Sequence, residues 1–158
     1  MRVKYLLPAS FKRIGWLILF PSVILGIPTV IIEWSPEFFD FHVFAVFVDG
    51  FPKDTELFGF IENNILNEIL GVLTIVGGLI VAFSKEFDED ELISKMRVES
   101  LVWTIYWNYG ILLAAFLLVY DFSFYWVMVF NMFTPLVLFI IRFNWSIRKF
   151  RRSMKYEE

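Results

Sequence analysis

The sequence predicts an all-α membrane fold: a four-transmembrane-helix bundle with a tight hairpin between the third and fourth spans and an aromatic-rich outer loop. Three observations predict it. The 158 residues are 58% hydrophobic and 20% aromatic, with 20 Phe and no Cys, and mean hydropathy is +0.65, whereas a soluble domain is typically about 45–50% apolar. Marking the charges leaves four apolar stretches close to the roughly 20 residues that cross a bilayer. The basic residues then fall almost entirely on one side of the implied map. A soluble all-α protein would need a polar face on every helix, and the first and fourth stretches have none. The expected organisation is a single integral domain, with spans at about 14–32, 57–83, 98–120 and 124–141, an outer loop over 33–56 and a basic cytoplasmic tail over 142–158.

The first span, Ile14 to Ile32, is free of charge between Lys12-Arg13 and Glu33. A signal peptide would have an apolar part of about 7–15 residues followed by a small-residue cleavage site. The exit here reads TVIIEWSPE, so an uncleaved span is expected. The second is less regular. Ile69 to Phe83 alone is too short to cross, so the helix is expected to begin near Leu57, bringing Glu62, Asn63, Asn64, Asn67 and Glu68 into its outer half. Only Asp121, Phe122 and Ser123 separate the third and fourth spans, which predicts an antiparallel hairpin.

Orientation follows from lysine and arginine. With both termini cytoplasmic, thirteen of the fourteen basic residues lie inside and only Lys53 lies outside, as expected when basic loops are retained during insertion. Trp16, Trp103 and Trp145 fall near inner ends and Trp34 and Trp126 near outer ends, where amphipathic rings sit at headgroup level. Trp107 departs from that pattern, near mid-helix.

Asn64, Asn67, Gly71, Thr74 and Gly78 follow a 3-4-3-4 spacing and share one helical face. Small and polar residues in such a row make a packing seam, which Gly78 and Ala82 extend as a small-xxx-small pair. The sharper reading is a polar path with Glu62 and Glu68 as proton or cation ligands, since intramembrane ionisable groups are costly. Asn108 and Asn131 lie deeper and need hydrogen-bond partners in hydrocarbon. Pro135 cannot donate to the Asn131 carbonyl, which predicts a kink there.

Folding the third span on the fourth about Phe122 pairs each position with roughly 244 minus its number. That register predicts a Glu99–Arg142 ion pair at the inner boundary. It also sets the acidic run Asp88-Glu89-Asp90-Glu91 opposite the tail. Asp88 is the expected N-cap, with Glu91 in the capping-box position. Arg148, Lys149, Arg151, Arg152 and Lys155 then divide between that run and anionic lipid headgroups.

The outer loop holds FFDFHVFAVFVDGF. Asp49-Gly50 suits a turn between short strands; Phe41, Phe44 and Phe47 suit a helical face embedded in the leaflet. An ordered interfacial cap is expected. Glu37, Asp40 and His42 are metal-capable types, but one His with two acids is a weak pattern, and no metal or other cofactor is expected. Catalytic motifs are missing: no phosphate-cradling glycine loop, no HExxH, no serine-nucleophile motif. Without Cys, a disulfide-stapled fold and thiolate chemistry are excluded. A net charge of −3 and the lack of a reading motif argue against nucleic acid as a partner.

The stretches RVESLVWTIYWNYGILL and VMVFNMFTPLVLFIIRFN resemble a recurring pattern in small multipass membrane proteins of Bacteroidota with no known function. The resemblance covers the C-terminal third to half of the chain and includes Glu99, Asn108, Asn131, Arg142 and Asn144. It implies a bacterial inner membrane and supplies no mechanism. The expected function is therefore a noncatalytic interaction or accessory subunit, with membrane lipids, further copies of itself or a membrane partner protein as neighbours. The rival is a small channel or proton- or cation-coupled transporter using Glu68, Asn67, Asn108 and Asn131.

Overall fold

A computed structural model describes residues 5–48 and 56–154. The elements are α1 (Phe11–Ile31), a 3-10 turn (Glu37–Phe39), β1 (Asp40–Val48), β2 (Glu56–Asn64), α2 (Leu66–Phe83), α3 (Glu91–Leu118), α4 (Phe122–Asn131) and α5 (Thr134–Met154). The fold is mostly helical but not all-α. By length and composition α1, α2 and α3 can each cross a membrane, and α4 with α5 forms a fourth candidate bent by 43°.

The bend has a local cause. Pro135 in the first turn of α5 has no N–H for the Asn131 carbonyl, and its fixed φ suits a helix start instead. The Thr134 hydroxyl donates to the Phe130 carbonyl at 3.0 Å, and Val137 N–H reaches Phe133 O at 3.0 Å, restarting the ladder beyond the break. Residues 119–121 form the turn between α3 and α4, with Asp121 at φ 56°.

Segment 57–64 departs from the expected helix: it is strand. Gly59 is a poor helix interior residue, while Phe58, Phe60 and Ile61 favour an extended chain. The partner, DFHVFAVFV, is richer still in strand formers. Antiparallel pairing runs from Asp40 opposite Asn64 through Phe44 opposite Phe60 to Val48 opposite Glu56. With a period of two, Phe41 and Phe47 lie on one face of β1 and Phe44 on the other, so the expected helical face does not form. Phe44 meets Phe60 edge-on at 5.7 Å and stacks on Phe58 at 6.1 Å. Phe58 has φ 63°, unusual for a bulky side chain, and the register skips it and Val46. The Asp49-Gly50 turn lies outside the described residues.

Helix α2 does not need residues 57–64 in order to span. Its 18 residues give about 27 Å, close to the hydrocarbon thickness, with Asn67 and Glu68 in the first turn.

The chain forms two compact units, Met1–Leu19 with Thr74–Glu158, and Phe20–Leu73. The first holds a core of Val81, Ala82, Ile93, Phe139, Ile140, Phe143 and Ile147. Phe83, Phe139 and Phe143 stack in a column with centroid spacings of 5.7 and 5.6 Å. Close approach of α1 and α2 depends on glycine. A Cβ on Gly77 would lie 2.8 Å from the Leu19 backbone nitrogen, and one on Gly15 would lie 2.8 Å from the Ile80 and Val81 side chains. Leu7 adds a parallel bridge, donating to Phe83 O and accepting from Lys85 N–H, both at 2.9 Å. In the second unit, Gly26 faces Leu70 and the hairpin precedes α2.

Candidate functional site

The most constrained polar site is a charge network where the end of α2, the start of α3 and the last turns of α5 converge. Arg97 is 3% exposed. Its guanidinium donates to the Ala82 carbonyl at 2.8 Å and the Ser84 carbonyl at 3.2 Å, which no further helical turn can satisfy. A cation there also complements the negative end of the helix dipole. A third bond runs to Glu89 Oε2 at 2.9 Å, and the plane lies 4.3 Å from the Phe143 ring centroid. Glu89 also accepts from the Glu86 backbone N–H at 2.8 Å.

Glu86, itself 8% exposed, accepts from Lys12. Lys12 also reaches Asn144 Oδ1 at 3.4 Å, and Asn144 donates to the Ile140 carbonyl at 2.7 Å. Arg151 lies 3.8 Å from Glu86 and 3.9 Å from Asp88. Three cations thus face three carboxylates: Lys12, Arg97, Glu86 and Glu89 form an enclosed part without net charge, as poor solvation requires, while Arg151 and Asp88 stand at its exposed edge. Of the acidic run, Asp88 and Glu89 enter it, while Asp90 caps α3 by accepting from Ile93 N–H at 2.7 Å. The cap is therefore Asp90, two residues beyond the expected Asp88.

From this cluster a polar row runs along the buried face of α3. Ser94, Arg97, Ser100, Thr104 and Asn108 are all buried at spacings of three and four. Leu101, Ile105, Leu113 and Phe116 face outward from the same helix. Asn131 Nδ2 donates to Asn108 Oδ1 at 3.2 Å, joining α4 to α3. The Thr104 hydroxyl is buried without a hydrogen-bond partner, as are Glu89 Oε1 and Arg97 Nε.

Other expected site residues are placed differently. Glu62 lies on β2, exposed, with its carboxylate 3.1 Å from His42 Nε2 across the hairpin. Glu68 is exposed in the first turn of α2 and accepts from Asn63 Nδ2 at 2.7 Å. Asn64 accepts from Leu66 N–H at 3.3 Å and donates to Asp40 and the Pro36 carbonyl at 2.7 and 2.8 Å, tying the helix start to the hairpin. Asn67 is exposed. The expected five-residue seam is therefore shortened: Asn64 sits in the strand, Gly71 faces open space, and Gly78 packs against Leu136 with Thr74 half-buried between.

The expected Glu99–Arg142 pair is not formed. Antiparallel register fixes height along the helices but not the angle around them. Glu99 is two residues from inward-facing Arg97, about 200° around α3, and lies exposed 3.9 Å from Lys95. Arg142 instead lies over Trp103 and Trp145, 5.2 and 5.1 Å from their centroids. Arg148, Lys149 and Arg152 are exposed, and Lys155 lies outside the described residues.

The outward side of α3 carries an open apolar groove of about 350 Å³ lined by Tyr106, Trp107, Gly110, Ile111 and Ala114. A Cβ on Gly110 would meet nothing within 4 Å.

Sequence reasoning missed Lys12, Glu86, Glu89 and Arg97 as one group. The signal was the polar periodicity of α3, with Arg97 in the same row as Ser94, Ser100, Thr104 and Asn108. No protein-family model, curated protein or solved structure matches the chain.

Proposed function

We propose that this chain is a noncatalytic interaction or accessory subunit of a bacterial inner membrane, with cytoplasmic termini, that works by packing α3 against a partner transmembrane helix. One observation carries the reading. Over its apolar window α3 is only 11% buried, and its outward side presents a groove in which Gly110 and Ala114, four residues apart, lie between Tyr106, Trp107 and Ile111. Small residues at that spacing let a second helix approach closely, the main source of association between helices in lipid. The first partner to test is a second copy of the chain.

The chain has no cysteine, so Gly110→Cys introduces a single reporter. Under mild oxidation in native membranes it is expected to give a covalent dimer, with Val137→Cys on α5 as a control that stays monomeric. Gly110→Leu fills the groove and is expected to lower the dimeric fraction about tenfold. A Gly110→Cys chain that stays monomeric, together with a Gly110→Leu chain that behaves as wild type, overturns self-association through this face.

The buried polar row of α3 favours a second reading, a small channel or a proton- or cation-coupled transporter. The path would then involve Thr104, Asn108 and Asn131. Flux in liposomes that is lost in both Asn108→Leu and Asn131→Leu supports that reading over the packing one.

A further inference from the structure

Arg142 stands where the charge-free run of α4 and α5 ends. Its guanidinium is half-buried between two indoles, and no described residue accepts a hydrogen bond from it. Arginine stays charged in proteins and carries five N–H donors in a planar fork. Indole faces hold such a cation and fix its plane, but they give the donors no oxygen to bind. Arg97 provides the contrast within the same molecule, with two carbonyls and a carboxylate around its guanidinium.

We propose that Arg142, clamped by Trp103 and Trp145, binds the phosphate of an anionic membrane lipid. This rests on the membrane placement proposed above. Tryptophan side chains prefer the headgroup boundary, so the clamp sets the fork at the depth of lipid phosphates. Guanidinium and phosphate match as a two-pronged, charge-assisted pair. Charge around the clamp selects an anionic headgroup over a zwitterionic one. Arg148 and Lys149 are exposed one to two turns further along α5. The only nearby acid on α3, Glu99, lies 3.9 Å from Lys95. The aromatic floor continues inward, because Trp107 packs 5.6 Å from Trp103, leaving an apolar track for the first acyl carbons.

The experiment uses the full chain purified in mild detergent and titrated with phosphatidylglycerol or phosphatidylcholine, with bound lipid counted by native mass spectrometry. Wild type is expected to retain phosphatidylglycerol about fivefold better than phosphatidylcholine. Arg142→Gln is expected to bring the two to the same level, and Trp103→Leu with Trp145→Leu to remove most of the preference. Arg142→Lys keeps the charge but not the fork and is expected to fall between. Arg152→Gln, an exposed cation away from the indoles, is expected to behave as wild type. Equal retention of the two lipids by wild type overturns the proposal, as does an Arg142→Gln chain with wild-type preference. Displacement by millimolar inorganic phosphate identifies a free-anion site and also overturns it. So does loss of dimer with unchanged lipid binding, which assigns Arg142 to a partner's carboxylate. Resistance of the chain to alkaline extraction from membranes tests the membrane placement separately.

Discussion

At the residue scale, Arg97 is the side chain on which most depends. It ends α2, anchors Glu89 and covers Phe143, so one substitution removes contacts to three elements. Breaking a buried ion pair from one side leaves the other charge without compensation, at a cost of about 3–5 kcal/mol. Arg97→Ala is therefore expected to lower the thermal midpoint in detergent sharply, and Glu89→Gln, which keeps one acceptor oxygen, to lower it less. If the two variants match wild type, the network does not hold the fold together. Thr104 makes the opposite case. Its buried hydroxyl has no partner, so the nearly isosteric Thr104→Val removes a desolvation cost of about 1 kcal/mol or more. Unchanged or raised stability is expected. A clear loss of stability would mean that the hydroxyl binds water, and would favour the polar-path reading of α3.

At the element scale, glycine positions separate contact from open space along α2. Gly77→Ala drives a methyl into the α1 backbone beside Leu19, and overpacking of that kind costs about 1–3 kcal/mol. Gly71→Ala meets nothing within 4 Å and gains about 0.5–1 kcal/mol of helix propensity. Opposite shifts of the unfolding midpoint are expected; a matching loss in both would place the helices differently. The bend of α4 on α5 and the turn at Asp121 were legible in the sequence, because proline and short charged breaks act through local backbone chemistry. The hairpin was legible only as one of two alternatives. Residues 57–64 read as helix as long as α2 is required to reach a full span from within an apolar run. They become strand because Phe and Ile beside Gly59 pair with the Val- and Phe-rich segment 40–48, a partner that the pattern of 57–64 does not itself contain.

At the scale of the whole molecule, the exposed apolar surface of α1 and α3 and the enclosed charges near Arg97 invert the arrangement of a water-soluble protein. The sequence by itself determined the presence of the apolar helices and the break at Pro135, since hydropathy and proline geometry need no partner. It also located the acidic and basic segments that meet. Only the tertiary structure decided which charges pair. Lys12, Glu86, Glu89, Arg97 and Arg151 come from four separate segments, and Glu99 loses Arg142 to two indoles through helix rotation alone. Rotation is set by packing of whole helices, including the close approach at Gly77 and the Phe83–Phe139–Phe143 column. No local pattern encodes that angle, which is why the acidic and basic segments that meet could be read from the chain and the individual pairs could not.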